Sequence, residues 1–132
     1  GWQVTQHAIS PDDIQAIEEI VVSVADTGIA DIILTTVGTG FGQRDNTPEA
    51  TLAVVDRLAP GLSEAMRSAS LKITPHAMLS RATAGIRKQT LIINLPGSPK
   101  GALENLQVIL PVLPHAVQLL TDDPGAEAGH QI

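Results

Sequence analysis

The sequence predicts an α/β domain with a mostly parallel sheet, and three observations predict it. Two runs, Asp31–Thr36 and Thr90–Leu95, are continuously apolar in the manner of strands covered on both faces. Between and around them, apolar residues recur at helical spacing. After each run comes a loop rich in Gly or in Gly and Pro, where a parallel strand hands over to a helix.

The elements follow in order. Trp2–His7 alternates Trp and Val with Gln and Thr, a short strand signal. Ser10-Pro11-Asp12-Asp13 reads as a helix start, with a capping residue, Pro at the first position and acids in the first turn. Ile14, Ile17, Ile20, Val21 and Val24 carry that helix to Thr27-Gly28. After Asp31–Thr36, the segment Gly38–Asp45 cannot be regular structure. Thr47-Pro48-Glu49 restarts a helix that reaches Pro60-Gly61, and a second helix spans Leu62–Leu71. Pro75–Ala84 is weakly helical and ends at Gly85. Thr90–Leu95 is the third strand, and Pro96–Gly101 the second Gly/Pro loop. Leu103, Leu106, Ile109, Leu110, Leu113 and Val117 mark a final helix that Pro111 and Pro114 should kink or divide. The domain is expected over residues 1–120, with a polar, disordered tail at 121–132.

Composition excludes several classes of function. Hydrophobic residues make up 43% and aromatics only 2%, so the core is built from Ile, Leu, Val and Ala. Few rings and a net charge of −6 argue against nucleic-acid binding. The absence of Cys removes zinc fingers, Fe–S clusters and thiol chemistry. No apolar run reaches the length of a membrane span. His7, His76, His115 and His130 share no metal-ligand spacing, and a Ser-His-Asp triad has little support.

In open parallel sheets, ligands bind at the carboxyl ends of the strands. The loops Ala8–Asp13, Val37–Asn46 and Pro96–Lys100 all leave strand ends. The middle one has Gly38, Gly40 and Gly42, which let backbone N–H groups approach a phosphate. Asp12, Asp13 and Asp45 could share Mg²⁺ with substrate phosphates. Simpler readings stand beside these. The glycines could form only a turn, Asp12 and Asp13 could complement a helix dipole, Arg44–Asp45 could be a surface pair, and Ser80-Arg81 could be solvated.

Longer strings narrow the choice. Gly38-Thr39-Gly40 with Arg44-Asp45-x-Thr47-Pro48-Glu49-Ala50 comes first. Then come Thr74-Pro75-x-Ala77-Met78-Leu79-Ser80-Arg81 with Ala84-Gly85, and Leu95-Pro96-Gly97-Ser98-Pro99-Lys100. In this order they resemble the molybdenum cofactor biosynthesis family, within it the Mog/MoaB-like molybdopterin adenylyltransferase branch that includes the gephyrin G domain. The resemblance runs from Val4 to about Leu119. It implies a three-layer α/β sandwich, a cytoplasmic homotrimer, and transfer of AMP from Mg-ATP to molybdopterin with release of pyrophosphate. It places the catalytic, Mg²⁺-organising carboxylates at Asp45 and Asp12. Gly38, Thr39, Gly40 and Lys100 would bind nucleotide phosphates; Ser80, Arg81, Gly97, Ser98 and Pro99 would bind molybdopterin. The alternatives are a non-catalytic molybdopterin-binding protein or a scaffolding module of the same family.

Two departures qualify the resemblance. Val37 stands where relatives usually have Gly, which favours a different loop path. Family members also begin with a strand-loop-helix unit, about 35 residues by the usual size of such units, ahead of the segment that matches Gly1 onward. A strand from outside residues 1–132 is therefore expected between Trp2–His7, Asp31–Thr36 and Thr90–Leu95.

Overall fold

A computed structural model describes residues 1–121; residues 122–132, nearly all of the expected disordered tail, lie outside the described residues. Helix α1 (Ile14–Thr27) leads to β1 (Ile32–Thr36) and α2 (Thr47–Val54). A two-residue strand β2 (Arg57–Leu58), α3 (Pro60–Leu71) and a 3₁₀ turn (Pro75–Leu79) follow. Then come β3 (Ala84–Arg87), β4 (Thr90–Leu95), α4 (Pro99–Ile109), a 3₁₀ turn (Leu110–Val112) and α5 (Leu113–Leu120).

The strands form one sheet in the order β1-β4-β3-β2. β1 and β4 run parallel, from Ile32 opposite Leu91 to Thr36 opposite Leu95. β3 is antiparallel to both β4 and β2, so the sheet is mixed, with one parallel and two antiparallel pairings. The parallel half is the half that the two apolar runs predicted.

β4 is buried along its whole length, and its alternation builds two cores. Leu91, Ile93 and Leu95 pack with Met66 of α3, Ile109 of α4 and Leu113 of α5. Ile92 points to the opposite face, onto Val21 of α1 and Val54 of α2. The result is three layers: α1 and α2, the sheet, then α3, α4 and α5. Successive Leu-Ile-Ile side chains can fill both cores only in a strand covered on both faces.

Several expectations are corrected. Trp2–His7 is not a strand: it is exposed and pairs with no strand among the described residues, so its alternation is not matched by a ladder. β1 is half-buried rather than doubly buried, with Leu34 42% exposed, because it lies at the sheet edge. Asp31–Thr36 and Thr90–Leu95 pair directly, with no strand between them. The helix start moves from Ser10 to Asp13, whose Oδ2 accepts the Ala16 N–H at 3.3 Å. Gly28 ends α1 as expected, at φ 69° with its N–H on the Ala25 carbonyl. The weakly helical Pro75–Ala84 divides into the 3₁₀ turn and the approach to β3. Pro111 and Pro114 divide the final helix, as their missing N–H groups require.

An ion-pair cluster marks one end of the sheet. At the start of β4, the Arg87 guanidinium holds Asp26 of α1 at 2.8 Å and donates to the Val54 carbonyl. Lys88 approaches the same carboxylate at 3.3 Å. The Arg87 hydrogen bond, aided by Lys88, keeps the Asp26 carboxyl below its ordinary range. With the C-terminal end of α1 fixed here, its N-terminal end faces the other end of the sheet, where β1 and β4 terminate.

Candidate functional site

The loop from Gly38 to Asn46 leaves β1 at that other end and is closed on itself. Asp45 Oδ2 accepts the Gly42 N–H at 2.8 Å, and the Asp45 N–H returns to the Gly42 carbonyl at 3.0 Å. Thr47 N donates to the Gly38 carbonyl, so the base of the loop is tied to the first residue of α2. Gly38 sits at φ 79°, and a Cβ there would collide with Thr47 Oγ1. Only glycine meets both demands.

Arg81 ties down the far side. Its N–H donates to the Thr39 carbonyl at 2.7 Å and its Nε to the Gly40 carbonyl at 2.7 Å. Its two terminal nitrogens reach the Asp45 carbonyl and both carboxylate oxygens of Glu49, on the first turn of α2. The hydrogen bond from Arg81 holds the Glu49 carboxyl below its ordinary range, and Glu49 in turn raises Arg81. A planar guanidinium is the side chain that can span carbonyls and a carboxylate at once.

These bonds orient the loop. They draw in the carbonyls of Gly38, Thr39 and Gly40. A trans peptide points its N–H opposite to the preceding carbonyl. The N–H groups of Thr39, Gly40 and Phe41 therefore lie on the side of their peptides away from these anchors. The set expected from sequence was Gly38, Thr39 and Gly40; the N–H groups opposite the anchored carbonyls belong to Thr39, Gly40 and Phe41.

The second loop meets the first. Gly97 follows β4, and a Cβ there would come 3.3 Å from the Cα of Val37. Ser98 caps α4, its Oγ accepting the Gly101 N–H at 3.0 Å, with Pro99 in the first turn. Lys100 is 86% exposed on its side chain and lies 3.9 Å from Glu104. Ser80 is half-buried. Its carbonyl accepts from Arg67 Nε at 3.1 Å, and its Oγ from the Ala82 N–H. Asp12 is exposed, immediately before the Asp13 cap at the N-terminus of α1, and so lies at the same end of the sheet as Asp45.

The structure thus gathers Gly38, Thr39, Gly40, Asp45 and Arg81 into one hydrogen-bonded unit and sets Gly97 beside its root. Among the described residues, no hydrogen bond joins the Asp12, Ser80 or Lys100 side chain to that unit. Among the described residues no group of three or more His, Cys, Asp or Glu could hold a metal ion. Asp45, with Oδ1 outside the Gly42 bond, fits a cation shared with substrate phosphates and not an all-protein cage.

Two supporting residues escape sequence reasoning. Arg67 of α3 fixes the chain at Ser80 and Ala82. Asn94 of β4 is fully buried; its Nδ2 donates to Thr35 Oγ1 of β1 and Thr51 Oγ1 of α2, and its Oδ1 accepts the Thr83 N–H. A single Asn inside a six-residue apolar strand was the available signal, because a polar group so placed must find partners.

Arg81→Lys is expected to loosen the loop while keeping the charge, since an ammonium cannot serve Gly40, Asp45 and Glu49 together. Limited proteolysis should cut within residues 38–46 faster than in wild type; an unchanged cutting rate would show the clamp to be dispensable. The Glu49–Arg81 contribution also has a defined pH sense. Glu49 is depressed in the folded protein, so its contribution is complete above its unfolded pKa and is lost as pH falls through the lower folded value.

Comparison with known proteins shows the family of the chain. The sequence profile of the family described as "Probable molybdopterin binding domain" matches residues 1–115. The Dictyostelium discoideum protein named gephyrin is 49% identical over 121 residues, 92% of this chain and 17% of its own length. Molybdopterin adenylyltransferase of Helicobacter pylori (strain J99) is 45% identical over 86% of this chain and 65% of its own. That of Escherichia coli K12 is 50% identical over 74% and 50%. The chain therefore spans between about one sixth and two thirds of these curated relatives. Among solved structures, the molybdopterin biosynthesis enzyme MoaB of Thermus thermophilus superposes with a TM-score of 0.79 at 53% identity, covering 86% of this chain and 71% of that one. With its sheet, its Gly loop and its three sequence strings accounted for, the chain belongs to the molybdopterin-binding domain family of molybdenum cofactor biosynthesis.

Proposed function

We propose that the protein adenylylates molybdopterin, transferring AMP from ATP to the terminal phosphate of the pterin and releasing pyrophosphate. The observation that carries this reading is the Gly38–Asp45 loop. Thr47 and Arg81 hold its Gly38, Thr39 and Gly40 carbonyls, which leaves the following N–H groups on the other side of their peptides, and a carboxylate stands at its end, where parallel strands β1 and β4 terminate. The names of the bacterial relatives support it.

The roles follow from charge. Nucleotidyl transfer asks for positioning and neutralisation of phosphate charge more than for covalent help. The N–H groups of the loop would bind phosphate oxygens. Asp45 would hold Mg²⁺ together with those phosphates, with Asp12 as its partner; when bound, the cation would offset the charge that develops on pyrophosphate. Arg81 would act as a positioning residue. Ser80, Gly97, Ser98 and Pro99 would form the molybdopterin side, and Lys100 would attract phosphate from the rim. The reaction would run in the cytoplasm, where ATP is available.

The decisive assay is incubation of the protein with molybdopterin and Mg-ATP, followed by measurement of pyrophosphate. Pyrophosphate formed in proportion to adenylylated pterin is expected. Molybdopterin binding without pyrophosphate would favour the non-catalytic alternative.

A homotrimer belongs to the same proposal. Ile73, Met78 and Leu79, around the turn after α3, are exposed apolar side chains of the kind that interfaces cover. Sedimentation velocity at micromolar concentration should give a three-chain species; a stable monomer would contradict it.

A further inference from the structure

Val37 has a φ of 75°, in the left-handed region that β-branched residues enter at a cost. Gly38 beside it shares that conformation and also lacks the Cβ that would strike Thr47; Val37 takes the same region without glycine's freedom. Its surroundings show what the conformation achieves. A Cβ built on Gly97 would lie 3.3 Å from Val37 Cα and 3.4 Å from its Cγ2. The isopropyl group is thus laid across the loop that follows β4, and it bridges the two loops at the strand ends. Yet Val37 remains 54% exposed, so much of it is still open at that end of the sheet.

We infer that Val37 is a specificity-determining residue. Its left-handed backbone sets an aliphatic surface between the Gly38–Asp45 loop and Gly97, and that surface packs against the flat heterocycle of the bound pterin. The inference rests on the molybdopterin reading given above. A planar ring system gains from an apolar wall, whereas a triphosphate, held by N–H groups and a carboxylate, gains nothing from it.

The test uses Val37→Gly and Val37→Ala, with thermal melting and equilibrium binding of molybdopterin and of ATP measured separately. Val37→Gly is expected to melt above wild type, because glycine accepts the left-handed backbone freely. Both variants should bind molybdopterin roughly tenfold more weakly, the scale of one lost aliphatic contact, with ATP affinity unchanged. Wild-type binding of molybdopterin with unaltered affinity in both variants would overturn the inference and leave the functional reading intact. A Val37→Gly protein that melts below wild type would overturn the strain on which it stands. Failure of wild type to bind molybdopterin at all would remove the functional reading, and this inference with it.

Discussion

Asp45→Asn is expected to slow adenylyl transfer by at least about a hundredfold, the usual scale for removing one group that stabilises transition-state charge. Molybdopterin affinity should stay within a few-fold of wild type. The asparagine is chosen because the structure separates two duties of this side chain. Oδ2 holds the Gly42 N–H and so shapes the loop. The negative charge is what a cation shared with phosphates would need. Asparagine keeps an oxygen for Gly42 and loses only the charge, whereas alanine would remove both. The effect should therefore fall on kcat and not on the KM for molybdopterin. Weakened molybdopterin binding with an unchanged turnover rate would reassign Asp45 to the pterin pocket.

Asn94→Ala is expected to lower the free energy of unfolding by about 3 kcal/mol. Asn94 is fully buried and makes three hydrogen bonds, to β1, to α2 and to the Thr83 N–H. The two threonine oxygens each lose a donor, while their own hydroxyl protons remain free to bond elsewhere. The Thr83 N–H loses its acceptor, cannot turn, and is left facing a small cavity. The loss would reach the site as well, because Thr51 lies in the helix whose first turn carries Glu49. Urea unfolding, extrapolated linearly to water, measures it. A loss below about 1 kcal/mol would show that the neighbours compensate fully.

Asp31–Thr36 and Thr90–Leu95 were legible in the sequence because an apolar run between turn signals states its own burial. The helices were legible through their spacing and their Gly and Pro punctuation. β2 and β3 were not. Arg57-Leu58 is too short to carry a period, and Ala84-Gly85-Ile86-Arg87 contains a glycine that weakens any strand signal. That glycine answers a tertiary demand: a Cβ at Gly85 would lie 2.5 Å from Val55 Cγ1. Trp2–His7 failed in the opposite sense, because its alternation expresses a local preference while a strand needs a partner. In the site, the motif strings located the loops and the residues within them. They could not show which way Arg81 faces. The motif sets it near the loop glycines, and only the fold reveals that its guanidinium bonds the Gly40 and Asp45 carbonyls and the Glu49 carboxylate.

The burial of β4 has a consequence for how the domain opens. This strand contributes to the core on each side of the sheet, with Leu91 and Ile93 in one and Ile92 in the other. Neither helical layer can detach without uncovering one of its faces, so the two layers share a single cooperative unit. The backbone amides of β4 should be the last to exchange with deuterium, at a free energy equal to that of global unfolding. Those of β1, which has one strand neighbour in the sheet, should exchange earlier through partial opening. The Gly38–Asp45 loop hangs from the end of this earlier-opening strand. Its other end is tied to α2 and to Arg81, so opening of β1 can move the loop only as far as those bonds allow while β4 stays closed.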